Sequence, residues 1–342
     1  MSRYHYVGLD VHKETIAYCV KRADGRIVGE GTIPARRREL AVWARSLPRP
    51  WVGAMEATLF TGWIYDFLLP RAHDLKVGHS YMLRAICAAK KKNDRVDARK
   101  LADALRCDLL PECYMAPAEI RDLRRVLRYR SLLVRESVRL QNKTAGILME
   151  VGADYDGDRL GGKAYFAELL STLDYVPESV RQLLRLNRSS QEVFDSQQRR
   201  LVRELQRNPL LADRVQRLMS IPGVGEVTAL TWALEVGECS RFASIKQAVS
   251  YCGLCSGQNE SAGKTKRGPL SKQRNKHLQT ILIEAAKLAP RWNAPLAQAH
   301  DRALARGADR NQATLLVARK LVAYLLAVDR SGRGFEARGE EG

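Results

Sequence analysis

Lys90-Lys91-Lys92-Asn93-Asp94-Arg95-Val96-Asp97-Ala98-Arg99-Lys100-Leu101-Ala102-Asp103-Ala104-Leu105 carries cations and carboxylates at helical spacing. Asp94 and Asp97 are three residues apart and share a face of a helix. Val96, Leu101 and Leu105 are the expected buried stripe. Asp103, nine residues beyond Asp94, lies roughly 180° around the helix and reads as a solvent residue. Two carboxylates on one face repel each other, so something must offset them. Neighbouring Lys and Arg in solvent are one answer. A divalent metal is the other, with Lys91, Lys92, Arg95 and Arg99 meeting a phosphate backbone.

The elements ahead of this helix decide the fold class. Tyr4 to Asp10 reads as a strand ending in an acid, and Thr15 to Val20 as a second strand. Asp24-Gly25 is a hairpin signal that returns the chain along Arg26 to Ile33. Arg36 to Leu47 is helical, Trp51 to Glu56 is a short apolar strand ending in another acid, Phe60 to Ala72 is helical and Leu75 to Gly78 is a strand. A helix around Tyr81 to Ala89 precedes the acidic one. Strands that begin as a hairpin and then alternate with helices predict an α/β layer, antiparallel at first and then parallel.

In that order of elements, which is RNase H-like, Asp10 and Glu56 close adjacent strands and Asp94 and Asp97 lie on a helix laid across them. Four such acids suit a hard cation, Mg²⁺ or Mn²⁺, which takes oxygen ligands and keeps several waters. Two metals about 4 Å apart would clamp the attacking and leaving oxygens of a phosphodiester.

The 342 residues carry 57 Lys and Arg against 38 Asp and Glu, a formal charge of +19. Such an excess argues for a polyanionic partner, foremost nucleic acid, and says nothing about fold. No apolar run reaches the roughly 18 residues of a membrane span, and Met1 to Asp10 lacks the apolar core of a secretory signal. The expected compartment is the cytoplasm, at the nucleoid when DNA is bound. Seven Cys show no framework spacing. Cys252-Gly253-Leu254-Cys255 is a lone CxxC with too few neighbouring ligands for zinc, and it reads as two small thiols in a buried strand or helix start.

Strand signals vanish from about Pro117 to Leu218. Ile120 to Met149 is one long helix, a Gly-rich break follows over Gly152 to Gly162, and Val180 to Met219 resumes helical spacing. Together they suggest an antiparallel coiled-coil arm or a dimer surface. Arg121, Arg125, Arg128, Arg135 and Arg139 share a face of the first helix, either solvated or against nucleic acid. Ser220-Ile221-Pro222-Gly223-Val224-Gly225 between helical runs is a helix-hairpin-helix pattern, whose Gly223 and Gly225 let backbone N–H groups approach a phosphate. Ser220 reads as a helix cap. Helices continue over Ile245 to Tyr251, Lys276 to Ala289 and Asn311 to Val328, and the charge-rich tail from Asp329 is expected to be disordered.

Three linked motifs carry a resemblance: Gly8-Leu9-Asp10-Val11-His12-Lys13, Met55-Glu56-Ala57-Thr58 and Lys92-Asn93-Asp94-Arg95-Val96-Asp97-Ala98. They resemble the DEDD motifs of the Piv-like insertion-sequence transposases. The block from Ser220-Ile221-Pro222-Gly223-Val224-Gly225 through Gly253-Leu254 and Leu270-Ser271-Lys272 is similar to the second domain of that family. The resemblance implies a RuvC-like domain over 1–115, a coiled-coil segment over 116–215 and a mainly α-helical transposase domain over 216–330, ahead of a tail at 331–342. It implies a serine nucleophile, matched here by Ser261, and a structured RNA encoded by the element that guides some members, the RNA-guided bridge recombinases. It also implies double-stranded DNA as substrate, both element ends and target, and a dimer or tetramer.

The residues around Ser261 agree without choosing it. Six Lys and Arg and no acid lie between Ser261 and Thr280. Lys264, Lys266, Arg267, Lys272 and Arg274 can stabilise transition-state charge on a phosphate. A flexible basic loop explains the same run, and Ser256 and Ser271 are rivals. Separate domains suggest a composite site, with acids from one subunit and serine from another. A RuvC-like, structure-selective nuclease that uses water is the alternative enzyme, and a non-catalytic nucleic-acid-binding protein the alternative without chemistry.

Overall fold

A computed structural model describes residues 3–86, 93–261 and 264–336, with the side chains of 258–267 outside the description. The chain divides into two compact units, Met1–Ala118 and Glu119–Gly342.

The first unit runs β1 (His5–Val11), β2 (Thr15–Lys21), β3 (Ile27–Pro34), α1 (Arg37–Ser46), β4 (Trp51–Glu56), α2 (Thr61–Leu68), β5 (Asp74–Gly78), α3 (Ser80–Ile86) and α4 (Asp94–Arg106). The sheet order is β3-β2-β1-β4-β5. The β1–β2 and β2–β3 pairs are antiparallel, and β1–β4 and β4–β5 are parallel. This mixed α/β unit is consistent with an RNase H-like fold. Val7, Leu9 and Val11 point into an apolar layer with Leu40 and Trp43 of α1, Ile64 and Leu68 of α2, and Met55 and Val77. Each such side chain contributes about 1.5–3 kcal/mol on burial.

The opposite face of the sheet takes α4, whose buried residues are Ala98, Leu101, Ala102 and Ala104. Val96 and Leu105 are only half-buried, so the stripe expected from the large apolar residues is corrected. The reason is steric. A Cβ on Gly8 would fall 2.0 Å from Ala98 O and 2.5 Å from Ala102 N, so helix and strand touch backbone to backbone. Ala98 and Ala102 line that close approach, and Leu101 is the member of the expected stripe that is buried.

The second unit runs α5 (Ala118–Glu150), α6 (Lys163–Thr172), α7 (Glu178–Gln206), α8 (Ala212–Met219), α9 (Glu226–Val236), α10 (Ile245–Tyr251), β6 (Ser256–Ser261), β7 (Lys264–Leu270), α11 (Lys276–Leu288), α12 (Ala294–Ala305) and α13 (Arg310–Ser331). The helices α5 and α7 run antiparallel. Leu127 shares a core with Val202 and Leu205, Ser137 Oγ donates to Asp195 Oδ1 at 2.8 Å, and Leu148 shares a second core with Leu184. Residues 119–215 of the segment expected at 116–215 lie in one unit with the residues that follow them.

Several expectations need correction. Residues 207–211 break the expected Val180–Met219 helix into α7 and α8. The elements α6, α12 and the β6–β7 hairpin are additional to those expected. Cys252 caps the C-terminal end of α10, where Gly253 takes φ +71°, so the CxxC marks a helix end and not a start.

The described start of the tail, 329–336, is ordered, while 337–342 lie outside the described residues. Asp329 is 4% exposed and accepts two bonds from Arg214, Nε to Oδ1 at 2.7 Å and Nη2 to Oδ2 at 2.6 Å, and one from Trp232 Nε1 at 2.9 Å. Beyond α13, the Phe335 ring lies 5.1 Å from that of Tyr324, tilted at 55°, and the Phe335 N–H donates to Ser220 Oγ at 2.7 Å. Ser220 caps the C-terminal end of α8, donating to Arg217 O at 2.6 Å.

Candidate metal centre at the carboxyl end of the central strands

The period of a strand is two, so Gly8, Asp10 and His12 share the face that α4 covers, while Val7, Leu9 and Val11 share the apolar one. Gly8 admits the helix; Asp10 and His12 then come up beside its first turn. Asn93 fixes where that turn begins, its side chain accepting from Val96 N at 2.8 Å. Asp94 and Asp97 fill the first turn, where the positive end of the helix favours carboxylates.

His12 Nε2 lies 3.2 Å from Asp10 Oδ2 and 3.4 Å from Asp94 Oδ1. One ligand atom from each of Asp10, His12 and Asp94 lies within 4.8 Å of the others. Glu56 and Asp97 stand outside that cluster. Glu56 ends β4, and because Leu9 pairs with Met55 in the parallel register it stands beside Asp10 at the strand ends. The loop after it is pinned by Thr61, whose Oγ1 donates to Glu56 O at 2.8 Å and accepts from Thr58 N at 2.7 Å. Asp97 meets Lys100 Nζ at 3.4 Å, so its charge is partly offset.

Burial pushes the Asp10 carboxyl above its usual range. The His12 imidazole pulls it down, and the Asp94 and Asp97 charges push it further up. The Asp10 side chain is 13% exposed, while His12 and Asp94 are 50% and 60% exposed. An inner carboxylate with further O and N donors at an open rim fits a divalent cation that retains waters.

The other charged residues of α4 have protein partners. Arg99 forms a fork on Glu30 of β3, Nε to Oε2 at 2.7 Å and Nη2 to Oε1 at 2.8 Å, and Arg95 bonds the same carboxylate. Asp103 is no plain solvent residue, since its Oδ2 accepts from the 7% exposed Lys21 at 2.5 Å. Lys91 and Lys92 fall outside the described residues.

In the second unit, Ser261 ends β6 and pairs with Lys264 of β7, whose strand also carries Lys266 and Arg267. The side chains of these four residues lie outside the described set. Ser271 Oγ accepts from Gln273 N at 3.1 Å, and Ser256 pairs with Leu270. Arg274 packs under Gly253, and its Nη1 donates to Ser271 O at 3.0 Å. Lys272 sits in the same turn.

Arg125 is 79% exposed and meets Asp122 at 3.0 Å. Arg128 forks onto Glu235, with Nε at 2.7 Å and Nη2 at 2.8 Å. Gly223 has φ +92°, and a Cβ there would fall 2.7 Å from Ala289, so helix–helix packing requires this glycine. Gly225 caps α9 and faces open space. Burial pushes the Cys252 thiol up to about 12. Among the described residues neither it nor Cys255 joins a metal cluster.

His12, just beyond the end of β1, is not among the expected site residues; its only sequence signal is the two-residue step from Asp10, which puts both side chains on one face.

Residues 7–152 match a DEDD-type IS110 transposase domain, and residues 215–301 match the Transposase IS116/IS110/IS902 family. The chain is 26% identical over 271 residues to a probable family 20 transposase of Pseudomonas aeruginosa, covering 78% of this chain and 79% of that one. It is 25% identical over 295 residues to the transposase for insertion sequence element IS1328 of Yersinia enterocolitica, covering 84% of each. It is 30% identical over 202 residues to the transposase for element IS1111A of Coxiella burnetii, covering 57% of this chain and 54% of that one.

Proposed function

The chain belongs to the IS110/IS116/IS902 family of insertion-sequence transposases, and on that premise we propose that it cuts and rejoins DNA with a metal-holding DEDD site and a serine nucleophile. The observation that carries the metal half is the convergence of Asp10, from a strand end, with Asp94, from the first turn of α4, around one point. Asp10 and Asp94 hold the cation, with Glu56 and Asp97 completing the set and Mg²⁺ or Mn²⁺ as the ion. Bound there, the cation supplies Lewis-acid stabilisation of charge on the phosphate and activates the attacking hydroxyl.

Ser261 Oγ attacks the phosphorus of a DNA phosphodiester. One P–O bond to deoxyribose breaks, its electron pair leaving on the sugar oxygen, and a phosphoserine ester forms. The released strand end, or another, attacks that ester and regenerates the serine, so bond energy is conserved. The support for Ser261 is its family-matched position and the run Lys264, Lys266, Arg267, Lys272 and Arg274 beside it in sequence. Gly223 and Gly225 fit a helix-hairpin-helix that meets a DNA backbone, and the antiparallel α5–α7 pair fits a coiled-coil arm between subunits of a dimer or tetramer; of the helix arginines, Arg125 is 79% exposed and suits a phosphate contact, while Arg95, Arg99 and Arg128 are held by Glu30 and Glu235. A structured RNA from the element directs the choice of DNA. Among the described residues no helix is long and apolar enough to cross a membrane.

The test is covalent trapping on DNA bearing the element ends. A phosphoserine adduct mapped to Ser261, and its loss in Ser261→Ala, is the expected result. Cleavage at an undiminished rate by Ser261→Ala means that water is the nucleophile. Sequencing of RNA that copurifies with the protein tests the guide: a single structured species from the DNA flanking the gene is expected, and a random sample of cellular RNA overturns it.

A further inference from the structure

His12 is the nitrogen donor in a cluster otherwise made of carboxylate oxygens. Its place is built rather than incidental. The His12 N–H donates to Thr15 O at 2.9 Å, which closes β1 into β2 immediately after the strand and fixes the backbone that bears the imidazole. The same ring nitrogen, Nε2, reaches both Asp10 Oδ2 at 3.2 Å and Asp94 Oδ1 at 3.4 Å. It therefore points into the space between a strand carboxylate and a helix carboxylate, and not past them into solvent.

Resting on the reading of these acids as a metal site, we infer that His12 Nε2 is itself a ligand, so that the centre is a mixed oxygen–nitrogen site and not an all-carboxylate one. The donor set has a consequence for the cation. Mg²⁺ is hard and takes oxygen and water. An imidazole adds affinity along the series Mn²⁺, Fe²⁺, Co²⁺, which Mg²⁺ does not share. The site thus favours first-row transition cations over Mg²⁺ more strongly than four acids would. If His12 only positioned Asp10 by a hydrogen bond, its nitrogen would lie outside the ligand shell and the cation preference would not depend on it.

The experiment uses the full chain without DNA, titrated with Mn²⁺ and followed by electron paramagnetic resonance, with pulsed detection of ¹⁴N coupling. Bound Mn²⁺ with an imidazole ¹⁴N coupling is expected, lost in His12→Ala and kept in His277→Ala. In competition with Mg²⁺, the ratio of Mn²⁺ to Mg²⁺ affinity falls about tenfold in His12→Ala. In His12→Asp, binding persists while that preference falls. His12 is half exposed, so these variants keep their circular dichroism spectra. Bound Mn²⁺ with no ¹⁴N coupling, or a coupling that survives His12→Ala, overturns the inference and leaves the carboxylate site standing. Failure of the wild-type chain to bind Mn²⁺ overturns both.

Discussion

Asp10, in the first unit, has a histidine and two further carboxylates for neighbours. Glu235, in the second unit, is 1% exposed and has Arg128 forked onto it, Asn275 Nδ2 donating at 2.8 Å and Arg124 at 3.8 Å. Burial pushes both carboxyls up. At Asp10 the net shift stays upward. At Glu235 the hydrogen bonds from Arg128 and Asn275, with the arginine charges, overcome burial and hold the carboxyl below its usual range. One buried acid is satisfied by its own protein. The other is left in a state that a cation from outside would relieve. A residue held in a costly state by its own fold is a candidate for function, whereas a satisfied one is a candidate for architecture.

That contrast can be broken by experiment. Asp10→Asn should lower transposition in cells by at least about a thousandfold, roughly 4 kcal/mol, while the melting temperature of the metal-free protein stays level or rises. A fall of several degrees would put Asp10 with the architectural acids. Glu235→Ala takes its carboxylate from the half-exposed Arg128 and a hydrogen-bond acceptor from Asn275, and should cost about 1–3 kcal/mol in urea unfolding; a loss below about 0.5 kcal/mol would erase the distinction. Gly8→Ala drives a methyl into the α4 backbone and should cost about 1–3 kcal/mol, with metal affinity falling as the Asp94 turn is pushed away.

The smallest effect is in pH. Glu235, depressed from 4.5, gives stability that is present above the unfolded value and lost as pH falls through the folded one. Glu235→Gln should flatten that acid limb. Asp10, raised from 3.8, has the opposite sign: its favourable contribution is present below the unfolded value and lost as pH rises through the folded one. Asp10→Asn should flatten that second dependence in metal-free protein, read by unfolding across the acid range.

The first unit was legible because its chemistry is local to strand ends. Apolar runs closed by Asp10 and Glu56, and a capped helix opening on Asp94 and Asp97, announce themselves within a few residues. What escaped was pairing across distance. Arg99 reads as a free cation until Glu30, 69 residues away, is seen to hold it. Asp329 reads as tail because its partner Arg214 is 115 residues upstream. The hairpin of β6 and β7 escaped for another reason: Ser256-Gly257-Gln258-Asn259-Glu260-Ser261 has none of the apolar alternation that marks a half-buried strand. Helix α12, rich in alanine, gives too weak a periodicity to stand out.

The backbone seam at Gly8 also bears on how this gene can vary. Because β1 presents Gly8, Asp10 and His12 to α4 and Val7, Leu9 and Val11 to the apolar layer, deleting one codon among them would exchange the two faces. The acid would then be delivered to the apolar side and a leucine to the cation. Length in this strand is under as strict a constraint as identity. The turn at Arg22–Arg26, held by Arg22 N to Arg26 O at 2.9 Å, joins strands without choosing a face for Asp10. Drift among relatives should gather there as insertions and deletions, leaving β1 ungapped even where its apolar residues are exchanged.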